Sequence, residues 1–165
     1  MTLEQRDPVP QELAALMRVA DTLMEQQQFR RAALEYRVLL HEPALLDNPA
    51  ARYETWANLG AALLYEFLET APHPKSDRLL DEAIKWLGKA RSLLGGNTPF
   101  NTPPALGINL VRAYHQQFLR SGEARHLMAA NLALDEIATD DHPLMAERLK
   151  SLRRMLIEAV RRKNH

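Results

Sequence analysis

The stretch Trp56-Ala57-Asn58-Leu59-Gly60, followed by Ala83, Leu87 and Ala90, constrains the fold of this chain more than any other feature. Trp56, Leu59 and Gly60 stand at i, i+3 and i+4 and so share one helix face. Two large side chains there fill a seam with a partner helix. The glycine, and Ala83 on the following helix, must stay small because the two backbones come close at those points.

An earlier helix pair repeats the theme. Phe29, Ala32 and Tyr36 place two aromatics around a small contact residue, Leu39, Leu40 and Pro43 continue and close the helix, and Leu16, Val19, Ala20 and Leu23 occupy the matching positions of the helix before it. The pattern resembles the tetratricopeptide repeat (TPR) family, whose units carry W-x2-L-G-x2-Y in the first helix of a pair and A-x3-F in the second. Here Leu63 stands at the tyrosine position of the Trp56 helix, and Leu16 and Ala20 stand at the tryptophan and glycine positions of the earlier pair. A third unit follows, with Leu110 and Tyr114 in its first helix and Ala130, Leu134 and Ile137 in its second. The resemblance covers roughly residues 11 to 142. It implies an all-α fold, a TPR-like α-solenoid of about seven antiparallel helices forming one domain over 1–165. The helix pairs fall at about 8–43, 48–95 and 102–140, and a capping helix at about 143–163. Gly60 and Ala83 stand eleven residues further apart than the family pattern. The insert, Glu66 to Ser76, contains Pro72-His73-Pro74 and reads as extra helical turns followed by a proline-stiffened loop.

Start and stop signals support the same helices. The first is expected over about 8–27 and the second over about 29–41, broken by Pro43. Asn48-Pro49 is a cap followed by proline at the first helical position, and opens a helix to about Thr70. Ser76 is expected to cap the fourth helix, which stops at Gly95-Gly96. Thr102-Pro103 repeats the cap-plus-proline signal, Gly122 ends the fifth helix, and Asp141-His142-Pro143 opens the last. In that last helix Leu144, Leu149, Leu152, Met155, Leu156, Ile157 and Val160 form the expected apolar face. No segment shows the period-two alternation of a strand.

Composition narrows the function. The chain has no cysteine, which excludes disulfides, thiolate metal sites and thiol catalysis. It begins without the basic and apolar regions of a secretory signal and holds no run of about twenty apolar residues, so no membrane span is expected and cytoplasm is the expected compartment. Net charge is zero, but unevenly spread: Arg148, Lys150, Arg153, Arg154, Arg161, Arg162 and Lys163 face only Glu147 and Glu158 after Pro143. His115 and His126 have no third ligand at a metal-like spacing, and the acids near His142 are explained by a helix N-terminus. No nucleophile, zinc or phosphate-loop motif is present, so no catalytic residue, metal, cofactor or small-molecule substrate is expected.

The expected activity is protein binding, as an adaptor, scaffold or chaperone-like module holding a partner peptide or helix with apolar anchors. If the units stack as in the family, the first helices line a concave groove with Ala14, Met17, Asp21 and Met24, then Ala57, Asn58, Ala61 and Leu64, then Ile108, Arg112 and His115. Methionine adapts to irregular apolar partners, and alanine leaves room for their side chains. Family members that grip a C-terminal carboxylate use Lys-x3-Asn, Asn and Lys-x3-Arg. Here Met17 and Asp21, Asn58, and Ala105 and Asn109 stand at those places, which disfavours an acidic tail in this groove. The alternative is nucleic-acid binding by the basic C-terminal helix, which lacks an aromatic residue on which bases could stack.

Overall fold

Asn48 and Pro49 open the longest described helix in the way their chemistry dictates. The Asn48 side-chain oxygen accepts the Ala51 N–H at 3.0 Å, and proline takes the first turn, where its missing N–H has no cost. The structure is a computed structural model and describes residues 8–71, 73, 75–95, 102–138 and 143–164. Pro72 and Pro74 of the insert, residues 96–101, and Asp141 and His142 of the expected start of the last helix lie outside these. The described residues form helices α1 (Gln11–Glu25), α2 (Phe29–Leu39), α3 (Pro43–Leu46), α4 (Pro49–Thr70), α5 (Ser76–Ser92), α6 (Pro104–Ser121), α7 (Ala124–Asp135) and α8 (Pro143–Lys163). Among them there is no strand, only one isolated bridge, so the all-α class holds.

Seven helices are expected and eight are described, the extra one being the single turn α3. Pro43 breaks α2 but is itself preorganised for a first helical turn, and Leu45 buries that turn against the core. α1 stops at Glu25, two residues before the expected end, and Gln27 takes a left-handed φ of 58° to turn the chain into α2. Ser76 is already helical and its side chain caps nothing; its N–H bonds to the His73 carbonyl at 2.8 Å. Thr102 likewise does not cap α6.

The chain divides into two compact units, residues 1–95 and 96–165. In the first unit α1 packs on α2, α2 on α4 and α4 on α5, and α1 also meets α4. Ala32 is fully buried in α2. Gly60 lies where α4 crosses α5: a Cβ there would stand 2.6 Å from Leu87 Cγ and 3.0 Å from its backbone nitrogen. Phe29 and Tyr65 join α2 to α4 with ring centroids 5.0 Å apart. The half-buried ion pair Arg37–Glu82, at 2.8 Å, ties α2 to α5. Leu59 through Leu64 are all buried, because α4 is covered by α1, α2 and α5.

In the second unit α6 packs on α7, and α8 on both. Thr102 donates its N–H to the Glu136 carbonyl at 3.0 Å and accepts the Ala138 N–H at 2.9 Å, pinning the entry to α6 against the exit from α7. Ile137 is therefore not part of the second helix of a pair, as expected, but of this bridge. Its side chain lies over Gly107, where a Cβ would meet Ile137 Cγ1 at 2.3 Å. Gly122 ends α6 with φ 68°, the left-handed stop expected of it. On α8 the buried line is Leu152, Leu156 and Ala159, flanked by Leu149 and Met155. Leu144, Ile157 and Val160, expected on that face, are exposed instead. Lys163 donates to the Gly122 carbonyl at the C-terminal end of α6, and its ammonium lies 5.5 Å from the Phe118 ring centroid. A cation at a helix C-terminus is electrostatically favourable, which anchors the end of α8.

Candidate functional site

Asp21, Tyr36 and Asn58 form a polar node where α1, α2 and α4 meet. The Tyr36 hydroxyl donates to Asp21 Oδ1 at 2.6 Å, and the Asn58 amide donates to the same oxygen at 3.2 Å. Tyr36 is buried to its hydroxyl, while Asp21 and Asn58 are half-buried. Burial pushes the Tyr36 phenol well above its usual range, and the hydrogen bond and charge of Asp21 push it further; the hydrogen bond of Asn58 acts the other way. The phenol is therefore a fixed donor at neutral pH, and Asp21 presents a carboxylate held by groups on two other helices.

Around this node lie several of the residues expected to line a groove. Met24 on α1 and Ala57 on α4 are half-buried, with Ala14 a further half-buried position on α1. Met17 and Ala61 retain only 7% and 6% of their surface. Leu64 is a correction: it has 0% exposure and is core packing, on a helix that packs against α1, α2 and α5. Ile108, Arg112 and His115 all lie on α6 in the second unit, where Ile108 and His115 are buried and only Arg112 is half-buried. A hollow along α1 lined by Ala15, Arg18, Val19, Thr22 and Leu23 belongs to the opposite flank of that helix from Asp21 and Met24. A hollow is not what marks the node; its distinguishing feature is the oriented carboxylate.

The Asp21 node is the part of the site that the groove pattern does not contain. Asp21 and Asn58 stand in it individually, but Tyr36 enters the sequence only as a packing aromatic. Its hydroxyl was the available signal, since a buried tyrosine OH needs a partner.

His115 is pushed below its usual pKa by burial first and then by the Arg162 guanidinium on α8. It is thus held neutral within the second unit. Among the described residues no group of three or more His, Asp and Glu side chains is placed to hold a metal ion, and no helix is long and apolar enough to cross a membrane. The basic residues of α8 are exposed; Arg153 reaches Asp135 at 3.6 Å, and Lys150 lies 3.9 Å from Glu147.

No protein-family model, curated protein or solved structure matches the chain.

Proposed function

We propose that this chain is a TPR-like helical-repeat module that binds a segment of a partner protein on the α1/α4 face of its first unit, around Asp21, Met24, Ala57 and Asn58. The observation that carries this reading is the order of packing in that unit. First helices α1 and α4 are joined directly by the Asp21–Asn58 hydrogen bond, second helices α2 and α5 by the Arg37–Glu82 ion pair, and α2 packs on α4 between them. Helix pairs stacked in this way place their first helices side by side and leave one face free for an extended or helical ligand. The Gly60 crossing keeps α4 and α5 close enough for the pair to act as one layer.

On this face the partner meets apolar and small side chains around a single fixed carboxylate. Apolar anchors of the ligand rest on Met24 and Ala57, while Asp21 favours a ligand donor and rejects a ligand carboxylate. The test is affinity capture with the full chain as bait, repeated with Met24→Glu and Ala57→Arg. Each places a charge where an apolar anchor would be desolvated, a cost of roughly several kcal/mol if the charge stays unpaired. Variants with wild-type helicity and melting should lose the protein that the wild type captures. Capture at unchanged affinity by both folded variants rejects the α1/α4 face as the site.

A further inference from the structure

The seam between α4 and α5 carries a second surface of different chemistry. Trp56 and Trp86 lie with ring centroids 6.0 Å apart and planes tilted by 50°, and both are half-buried. Three cations border them. The Arg52 guanidinium lies 5.6 Å from the Trp56 ring centroid, the Lys85 ammonium 5.4 Å from that of Trp86, and the Lys89 ammonium 4.7 Å and 5.6 Å from those of Trp86 and Trp56. Attraction to a ring face holds a cation in place without neutralising it. Among the described residues none of these three cations is ion-paired with a carboxylate. Arg52 reaches only the Leu46 carbonyl, at 3.3 Å, and its Nε is buried with no hydrogen-bond partner.

Tryptophan and arginine are the side chains most often found to dominate binding energy at protein interfaces. The Glu82 carboxylate, which accepts the Trp86 indole N–H at 3.4 Å, is taken up by its ion pair with Arg37, and the positive charge of the three bordering cations selects an anionic partner. We infer that the Trp56/Trp86 pair with Arg52, Lys85 and Lys89 is a docking site for an acidic segment of a partner protein. Glutamate or aspartate side chains of that segment meet the three cations that border the indoles. A nucleic-acid strand fits less well. Lys89 stands over both rings, where a base would have to stack, and residues 1–95 contain more Asp and Glu than Lys and Arg, which repels a long polyanion. A short acidic segment escapes that penalty because it meets only the local charge. This site lies on α4/α5 and its existence does not depend on the α1/α4 face being used.

The chain contains two tryptophans and both are in this cluster, so tryptophan emission reads the site directly. The full chain is titrated with a capped hexapeptide, Glu-Asp-Leu-Phe-Asp-Glu, with its analogue carrying Gln and Asn in place of the acids, and with a thymidine dodecamer. The acidic peptide should shift the emission saturably and bind at least about tenfold more tightly than the neutral analogue. That preference should shrink as salt is raised and disappear in the Lys85→Glu/Lys89→Glu variant. Lys89→Gln, which removes a charge without adding one, should weaken binding in the same direction and serves if the double variant melts early. Equal binding of the neutral peptide, no emission change with the acidic one, or preference for the dodecamer overturns the proposal.

Discussion

A Cβ placed on Gly60 would stand 2.6 Å from Cγ of Leu87, a separation that real side chains do not tolerate. Leu87 is fully buried and has nowhere to go. The α4/α5 crossing is therefore set by the absence of one methyl group.

Gly60→Ala and Gly60→Leu should both destabilise the protein in denaturant melts, by about 1–3 kcal/mol, although each gains helix propensity. Gly107→Ala should do the same in the second unit, because its Cβ would meet Ile137 Cγ1 at 2.3 Å. Gly88 is the control. It is helical and has nothing within 4 Å of an added Cβ, so Gly88→Ala should stabilise by about 0.5–1 kcal/mol. Glycine variants that all stabilise alike would remove the close crossings.

Tyr36→Phe should cost about 1–2 kcal/mol by stripping Asp21 of a buried donor. Because the folded pKa of Tyr36 is raised above its usual 10.0, the unfolded chain loses that proton first as pH rises. The contribution is complete below pH 10 and declines above it. The wild type should lose stability above pH 10 more steeply than Tyr36→Phe; parallel curves would show that the phenol is not held by the node.

The legible and illegible parts of this fold divide along a physical line. Asn48-Pro49, Gly122 and Pro143 mark helix ends through local backbone chemistry, and the structure places those ends accordingly. Gly60 was legible because a glycine after a seam leucine has a packing cause. The same Leu-Gly pair stands at 106–107, where the glycine lies under Ile137, and a pattern anchored on Leu110 and Tyr114 does not contain it. Leu64 was misplaced because Leu59 through Leu64 are buried all round the helix, and periodicity cannot assign a face when every face is covered. The contact of Tyr36 with Asp21 joins residues 15 apart, and that of Asn58 with Asp21 residues 37 apart. Both depend on the rotation of three helices about their axes, which no local pattern encodes. Ile157 and Val160 read as core because they are apolar, but the seam of α8 runs through Leu152, Leu156 and Ala159, where a small residue allows close approach.

His115 gives the second unit an acid sensitivity. Its folded pKa lies below the usual 6.5, so the unfolded chain takes up a proton that the folded unit resists. Stability is complete above pH 6.5 and falls as pH drops from there toward the lower folded value. His115→Gln should flatten this slope in melts between pH 7 and 5. An unchanged slope would assign the effect to other groups.

Removing α8 by ending the chain after residue 138 should expose the surface that Leu152, Leu156 and Ala159 cover, and leave a protein that aggregates. Light scattering decides this. A truncated chain that stays monomeric and melts unchanged would make α8 a free basic tail and raise the nucleic-acid alternative.

Hydrogen exchange on the complex of the full chain with its captured partner tests the α1/α4 reading most directly. The partner should slow exchange in residues 11–25 and 49–70, strongest around Asp21, Met24 and Asn58, and leave 143–163 unchanged. Protection confined to 143–163, with α1 and α4 exchanging as in the free chain, would contradict it.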